Sequence, residues 1–111
     1  MKWNTLETEA QWLQILEDST NKLQVIYKHS IRCSISSVVK GRLERAASPG
    51  DIDFYYLDLI NFRSISNRVA EDTGVRHESP QVLLIKDGKC IYNESHTAIN
   101  MDDIIAEGMQ A

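Results

Sequence analysis

Val82-Leu83-Leu84-Ile85 places four branched aliphatic residues in succession, and no other stretch limits the fold of this chain as sharply. A strand with one face in water alternates apolar and polar side chains, whereas a strand without alternation is covered on both faces. Lys86-Asp87-Gly88-Lys89 follows directly, and an Asp-Gly pair between two apolar runs is the signature of a two-residue hairpin. Val82–Ile85 is therefore expected to pair antiparallel with Cys90–Glu94, in a sheet with helices above and below it.

The remaining sequence supplies those helices and two more strands. Thr8-Glu9-Ala10-Gln11 reads as a capping box, and Trp12, Leu13, Ile15 and Leu16 continue it as an amphipathic helix to about Ser19. Leu23–His29 is apolar and β-branched enough for a strand. After it Ile35, Val38, Val39, Leu43, Ala46 and Ala47 recur at helical spacing, up to the breaker cluster Ser48-Pro49-Gly50-Asp51. Asp53–Leu59 is a strand rich in aromatics. A helix from about Phe62 to Asp72 presents Phe62, Ile65 and Val69 and stops at Gly74. A last helix, about Met101 to Met109, is capped by Asn100. With right-handed crossovers this order gives an α/β sandwich. Its mixed four-stranded sheet runs Asp53–Leu59, Leu23–His29, Val82–Ile85, Cys90–Glu94, with helices on both faces. The arrangement resembles the minimal thioredoxin topology preceded by an extra N-terminal helix.

At 111 residues, 42% hydrophobic and 25% charged, the chain is expected to form one domain over residues 1–111. A net charge of −4 argues against nucleic acid or an anionic membrane surface as partner. The first twelve residues carry charges throughout, and no segment approaches the roughly 20 apolar residues of a membrane span. A cytoplasmic location is the expectation, and the two cysteines are too few for a disulfide-stapled secreted domain.

One of those cysteines carries chemistry. Cys33 falls where the strand Leu23–His29 gives way to a helix, so unpaired backbone N–H groups and the positive end of the helix dipole favour a thiolate over a thiol. Arg32 adds a fixed positive charge. Cys33-Ser34-Ile35-Ser36 is a C-x-x-S motif: Ser36 stands where a dithiol enzyme has its second cysteine, is expected to hydrogen-bond the sulfur, and leaves resolution to another thiol. Ser79-Pro80-Gln81 is the second element. A proline directly before a buried strand belongs at its first residue; in this topology the loop faces the active cysteine, the Ser79–Pro80 bond is expected to be cis, and Ser79 offers its backbone to an extended substrate. Cys90 reads as structural, with a resolving role open if it faces Cys33. His29 reads as a solvated strand-end residue near the thiol, with assistance to proton transfer at the sulfur as the other reading. The spacing of His29, His77, His96 and the cysteines matches no compact ligand motif, so no metal site is expected.

Lys28-His29-Ser30-Ile31-Arg32-Cys33-Ser34-Ile35-Ser36, together with Ser79-Pro80-Gln81 and Ser95-His96, is similar to the YtxJ family, thioredoxin-like monothiol bacilliredoxins of the bacillithiol redox system. The resemblance extends over nearly the whole chain. The family's active-site segment typically reads Thr-Cys-Pro-Ile-Ser, so Cys33 matches its nucleophile and Ser36 its serine, while Arg32 and Ser34 depart from it. What the resemblance implies is a monothiol oxidoreductase without a tightly bound cofactor, with bacillithiol as co-substrate and with S-bacillithiolated proteins and a low-molecular-weight thiol as partners. Two other readings stay open: a monothiol glutaredoxin-like iron–sulfur carrier, and a thioredoxin-like binding module without turnover.

Overall fold

The computed structural model describes residues 2–46 and 50–110. Its elements are β1 (Trp3–Thr5), α1 (Glu9–Asp18), β2 (Leu23–His29), α2 (Ser34–Arg45), β3 (Ile52–Asp58), α3 (Arg63–Thr73), β4 (Gln81–Lys86), β5 (Lys89–Ser95) and α4 (Met101–Gln110), with a single 3-10 turn at His96–Ala98. Among the described residues the sheet has five strands in the order β1-β3-β2-β4-β5. The four expected strands lie in the expected order; the fifth is a correction. β1 is three residues long, too short for any periodicity, and it exists because Trp3, Asn4 and Thr5 pair parallel with Phe54, Tyr55 and Tyr56 of β3. The end of α2 expected at Ala47, and the breaker residues Ser48 and Pro49, lie outside the described residues.

The local signals act as their chemistry requires. Thr8 Oγ1 accepts from the Gln11 amide at 3.1 Å while Gln11 Oε1 accepts from the Thr8 amide at 3.0 Å, which closes the capping box. Asp87 (φ 52°) and Gly88 (φ 74°) both take left-handed backbone, the geometry of a turn that follows the twist of its flanking strands. Asn100 Oδ1 accepts from the Asp103 amide at 2.8 Å and starts α4.

Successive side chains of the central strands divide between two cores. Val25, Tyr27, Val82 and Leu84 pack with Val39, Leu43 and Ile104 under α2 and α4. Ile26, Leu83 and Ile85 pack with Trp12, Ile15, Ile65 and Val69 under α1 and α3. The aliphatic run of β4 thus serves both faces, as its lack of alternation implies. β2 lies between β3, to which it is parallel, and β4, to which it is antiparallel. The loop leaving β2 therefore emerges beside the loop entering β4, and this end of the sheet is where the chemistry-bearing residues gather.

Candidate active site

Cys33 is the N-cap of α2, in extended backbone (φ −108°, ψ 116°), and it is half-buried. Its amide donates to the Ser30 carbonyl at 3.1 Å and its carbonyl accepts from the Ser37 amide at 3.2 Å, so the residue closes a tight loop and opens the helix. The sulfur has no hydrogen-bond partner among the described residues, and first-turn amides have none inside the helix. Arg32 is exposed, and its amide donates to Ser30 Oγ at 3.3 Å. The cysteine, its cationic neighbour and the helix start are together, as the sequence reading expects.

Ser36 is placed differently from its expected role. It is fully buried, and its hydroxyl is engaged away from the sulfur: Oγ lies 2.8 Å from His29 Nδ1 and accepts from the Ser30 amide at 3.2 Å. Tyr27 donates to the Ser36 carbonyl at 2.7 Å. His29 is likewise no solvated strand end. It is 5% exposed, its ring lies 6.0 Å from that of Tyr27 and 5.2 Å from that of Tyr56, and burial, helped by the Lys40 ammonium, lowers its pKa. Burial also pushes the Tyr27 phenol up to about 12, so it remains a donor.

The Ser79–Pro80 peptide bond is cis. Lys28 pairs with Gln81 across β2 and β4, so one step further along the register Pro80 stands beside His29, at the strand end from which Cys33 follows. Ser79 Oγ is shut off from solvent without a hydrogen-bond partner among the described residues. His96, in left-handed backbone (φ 60°), donates its amide to the Pro80 carbonyl at 2.9 Å, and its ring lies 3.4 Å from the Glu78 carboxylate. Arg42 of α2 donates to the carbonyls of Thr97, at 2.8 Å, and Ile99. Helix, proline loop and 3-10 turn are thereby joined around one end of the sheet.

Cys90 belongs to the other end. It pairs with Ile85, which pairs with Gln24, so it is level with the start of β2. Five strand steps from there to His29 are roughly 16 Å, well beyond the ~7 Å between Cα atoms that a disulfide spans. An internal bridge to Cys33 is out of reach in this arrangement. Cys90 Sγ instead donates to the Tyr92 carbonyl at 3.3 Å, and burial raises its pKa. The histidines are equally dispersed, and no group of three or more His, Cys, Asp or Glu side chains suited to a metal ion occurs among the described residues.

The sequence reading did not single out Lys28. It is fully buried on the face opposite Tyr27 and His29, with Nζ 3.1 Å from the Ser66 carbonyl and 3.4 Å from His77 Nδ1, and burial lowers its pKa to about 8. The available signal was its position: a lysine inside a strand whose neighbours on both sides require a core cannot reach solvent sideways. Among the described residues no helix is long and apolar enough to cross a membrane.

Solved structures share this architecture. A candidate oxidoreductase with a thioredoxin fold is 30% identical, with a TM-score of 0.84 over 96% of this chain and 93% of the other. Thioredoxin from Malassezia sympodialis is 18% identical, with a TM-score of 0.74 over 99% of this chain and 90% of its own. Fasciola hepatica thioredoxin is 16% identical, with a TM-score of 0.75 over 97% and 99%. The two thioredoxins establish the fold alone. The model of the monothiol bacilliredoxin BrxC family matches residues 4–104, a span that includes Cys33, Ser36, the Ser79–Pro80 loop and His96. A thiol oxidoreductase of thioredoxin fold with one sulfur at the head of its helix accords with that match, and the chain belongs to the monothiol bacilliredoxin BrxC family.

Proposed function

We propose that this protein removes bacillithiol from S-bacillithiolated proteins by a monothiol exchange at Cys33. The observation that carries the reading is the separation of the sulfurs, with Cys33 at the head of α2 and Cys90 level with the far end of β2. The Cys33 thiolate attacks the bacillithiol sulfur of the mixed disulfide. The old S–S bond breaks, the electron pair leaves on the protein sulfur, and that thiolate takes a proton from water. Cys33 now holds bacillithiol in a new mixed disulfide. A second low-molecular-weight thiol attacks this disulfide as its thiolate, forms a disulfide with the bacillithiol and returns Cys33 reduced. No tightly bound cofactor takes part, and bacillithiol is the co-substrate.

Arg32 and the first turn of α2 supply positive potential at the attacking sulfur. The Ser79 backbone and Pro80 line the groove that receives the substrate chain. A reducing cytoplasm suits a thiol of this kind, and the net charge of −4 gives no attraction to nucleic acid or anionic membranes.

Single-turnover reaction with a bacillithiolated protein tests the mechanism. Cys33→Ser is expected to abolish release of the substrate thiol, and Cys90→Ser to leave the first transfer intact. Mass spectrometry of the wild type is expected to find one bacillithiol on Cys33. A first transfer blocked by Cys90→Ser, or a wild type that never acquires this adduct, would overturn it.

A further inference from the structure

Tyr27 and His29 are alternate residues of β2 on its α2-facing side, and each holds a different part of Ser36. Tyr27 takes the carbonyl at 2.7 Å and His29 Nδ1 the hydroxyl at 2.8 Å, while the Ser30 amide donates to the same hydroxyl at 3.2 Å. Because that oxygen already accepts from an amide, its own proton is free to point at Nδ1. With that proton directed at Nδ1 the ring is the neutral form with its hydrogen on Nε2, a tautomer this network accommodates. Ser36 is the third residue of α2, and the amides of the second and third residues are those on which a capping side chain at Cys33 draws.

We propose that His29, as neutral imidazole, is a positioning residue for the nucleophile: it holds the Ser36 hydroxyl, and thereby fixes the first turn of α2 beneath Cys33. The inference rests on Cys33 being the attacking sulfur, as proposed above. It gives the serine of the C-x-x-S motif a task other than contact with the sulfur, namely to join the helix start to β2. It also ties the site to a proton. An imidazolium would make Nδ1 a donor, so the Ser36 oxygen would accept from both the ring and the Ser30 amide, and its own proton would lose its acceptor. The packing around the ring opposes that charge. Burial between Tyr27 of β2 and Tyr56 of β3 disfavours it and Lys40 of α2 repels it, against partial compensation from Asp58 of β3, the Ser36 backbone and Glu44 of α2. Protonation of His29 therefore loosens the turn that carries Cys33.

Iodoacetamide labelling of Cys33 followed from pH 5 to 9, with peptide mapping, tests this in the full chain. His29→Asn keeps an acceptor near the place of Nδ1 but does not titrate; His29→Leu has no acceptor. At neutral pH His29→Leu is expected to slow labelling roughly tenfold, the weight of one well-made hydrogen bond in the turn that carries Cys33, and His29→Asn to stay within about twofold of wild type. At the acid end the wild-type rate should fall with a second-order dependence on protons, and that of His29→Asn with first order. A Leu variant labelled at the wild-type rate, or wild type and Asn variant sharing one single-proton profile, overturns the proposal; should the Leu variant not fold, the latter comparison decides alone. Iodoacetamide reports on the sulfur itself. Fast wild-type labelling without bacillithiol transfer would defeat the proposed function and leave the role of His29 standing.

Discussion

Replacing Lys28 with methionine is expected to stabilise the protein, and by an amount that depends on pH. The lysine is fully buried, its ammonium meets the Ser66 carbonyl and His77 Nδ1 and no carboxylate among the described residues, and desolvation lowers its pKa from 10.5 to about 8. At about 1.4 kcal/mol for each pH unit between folded and unfolded values, the buried charge costs about 3 kcal/mol wherever both states are protonated. That condition holds below pH 8. Between about 8 and 10.5 the folded protein has released the proton while the unfolded chain retains it, so wild-type stability should climb with pH. Above this window both states are neutral and the penalty is gone. Methionine has a similar length and no charge, and its introduction leaves little unpaired, because Ser66 Oγ stands 3.3 Å from His77 Nδ1 and can donate to it. The expected gain at pH 7 is about 1–3 kcal/mol, within the range seen when buried ions are exchanged for apolar residues. Urea unfolding under reducing conditions at several values from pH 7 to 10, followed by fluorescence of the buried Trp12, gives the difference directly. The gain should shrink as pH rises. A Met variant less stable than wild type at pH 7, or two stability curves running parallel across the window, would refute the reasoning and show that the bonds to Ser66 and His77 outweigh desolvation.

The two cysteines should label at very different rates in the native protein, because Cys33 heads a helix while burial raises the pKa of Cys90; equal iodoacetamide rates under native conditions would count against an activated Cys33. Gly108→Ala should lower the melting temperature although alanine favours a helix by about 1 kcal/mol, since its methyl would lie 2.4 Å from Leu23 Cδ2 and overpacking costs about 1–3 kcal/mol. Thermal denaturation by circular dichroism checks it, and an unchanged or higher midpoint would mean that Leu23 yields freely.

Much of this fold is written locally. The aliphatic run of β4, the Asp87-Gly88 turn, the Thr8 capping box and the change from strand to helix around Cys33 each rest on a short-range rule, and each stands where that rule puts it. What escaped the sequence is long-range. β1 is defined by its partner β3 rather than by its own three residues. Ser36 bears no mark that says whether its hydroxyl turns to the sulfur or to His29, since both are a few residues away and the choice belongs to the packing of α2 on β2. Lysine in a strand ordinarily reads as outward-facing, and only the helices on both sides of β2 deny Lys28 that exit. Likewise the spacing between Cys33 and Cys90 says nothing of their levels on the sheet until the hairpin register is known.

That register has a consequence for how the molecule stores oxidation. A protein with two neighbouring cysteines carries a complete two-electron couple within itself, and its oxidation by a small disulfide releases two thiols for each disulfide consumed, so its balance shifts with how dilute that thiol is. Here a sulfur at Cys33 and another level with Gln24 cannot form such a couple. Whatever disulfide Cys33 enters has its other half in a separate molecule; that exchange consumes one disulfide and releases one thiol, so its occupancy tracks the ratio of the two outside the chain and not their dilution. The same geometry withholds an internal rescue: a sulfenic acid at Cys33 has no second thiol in the fold to condense with, and only an arriving one halts its progress to the irreversible sulfinic state.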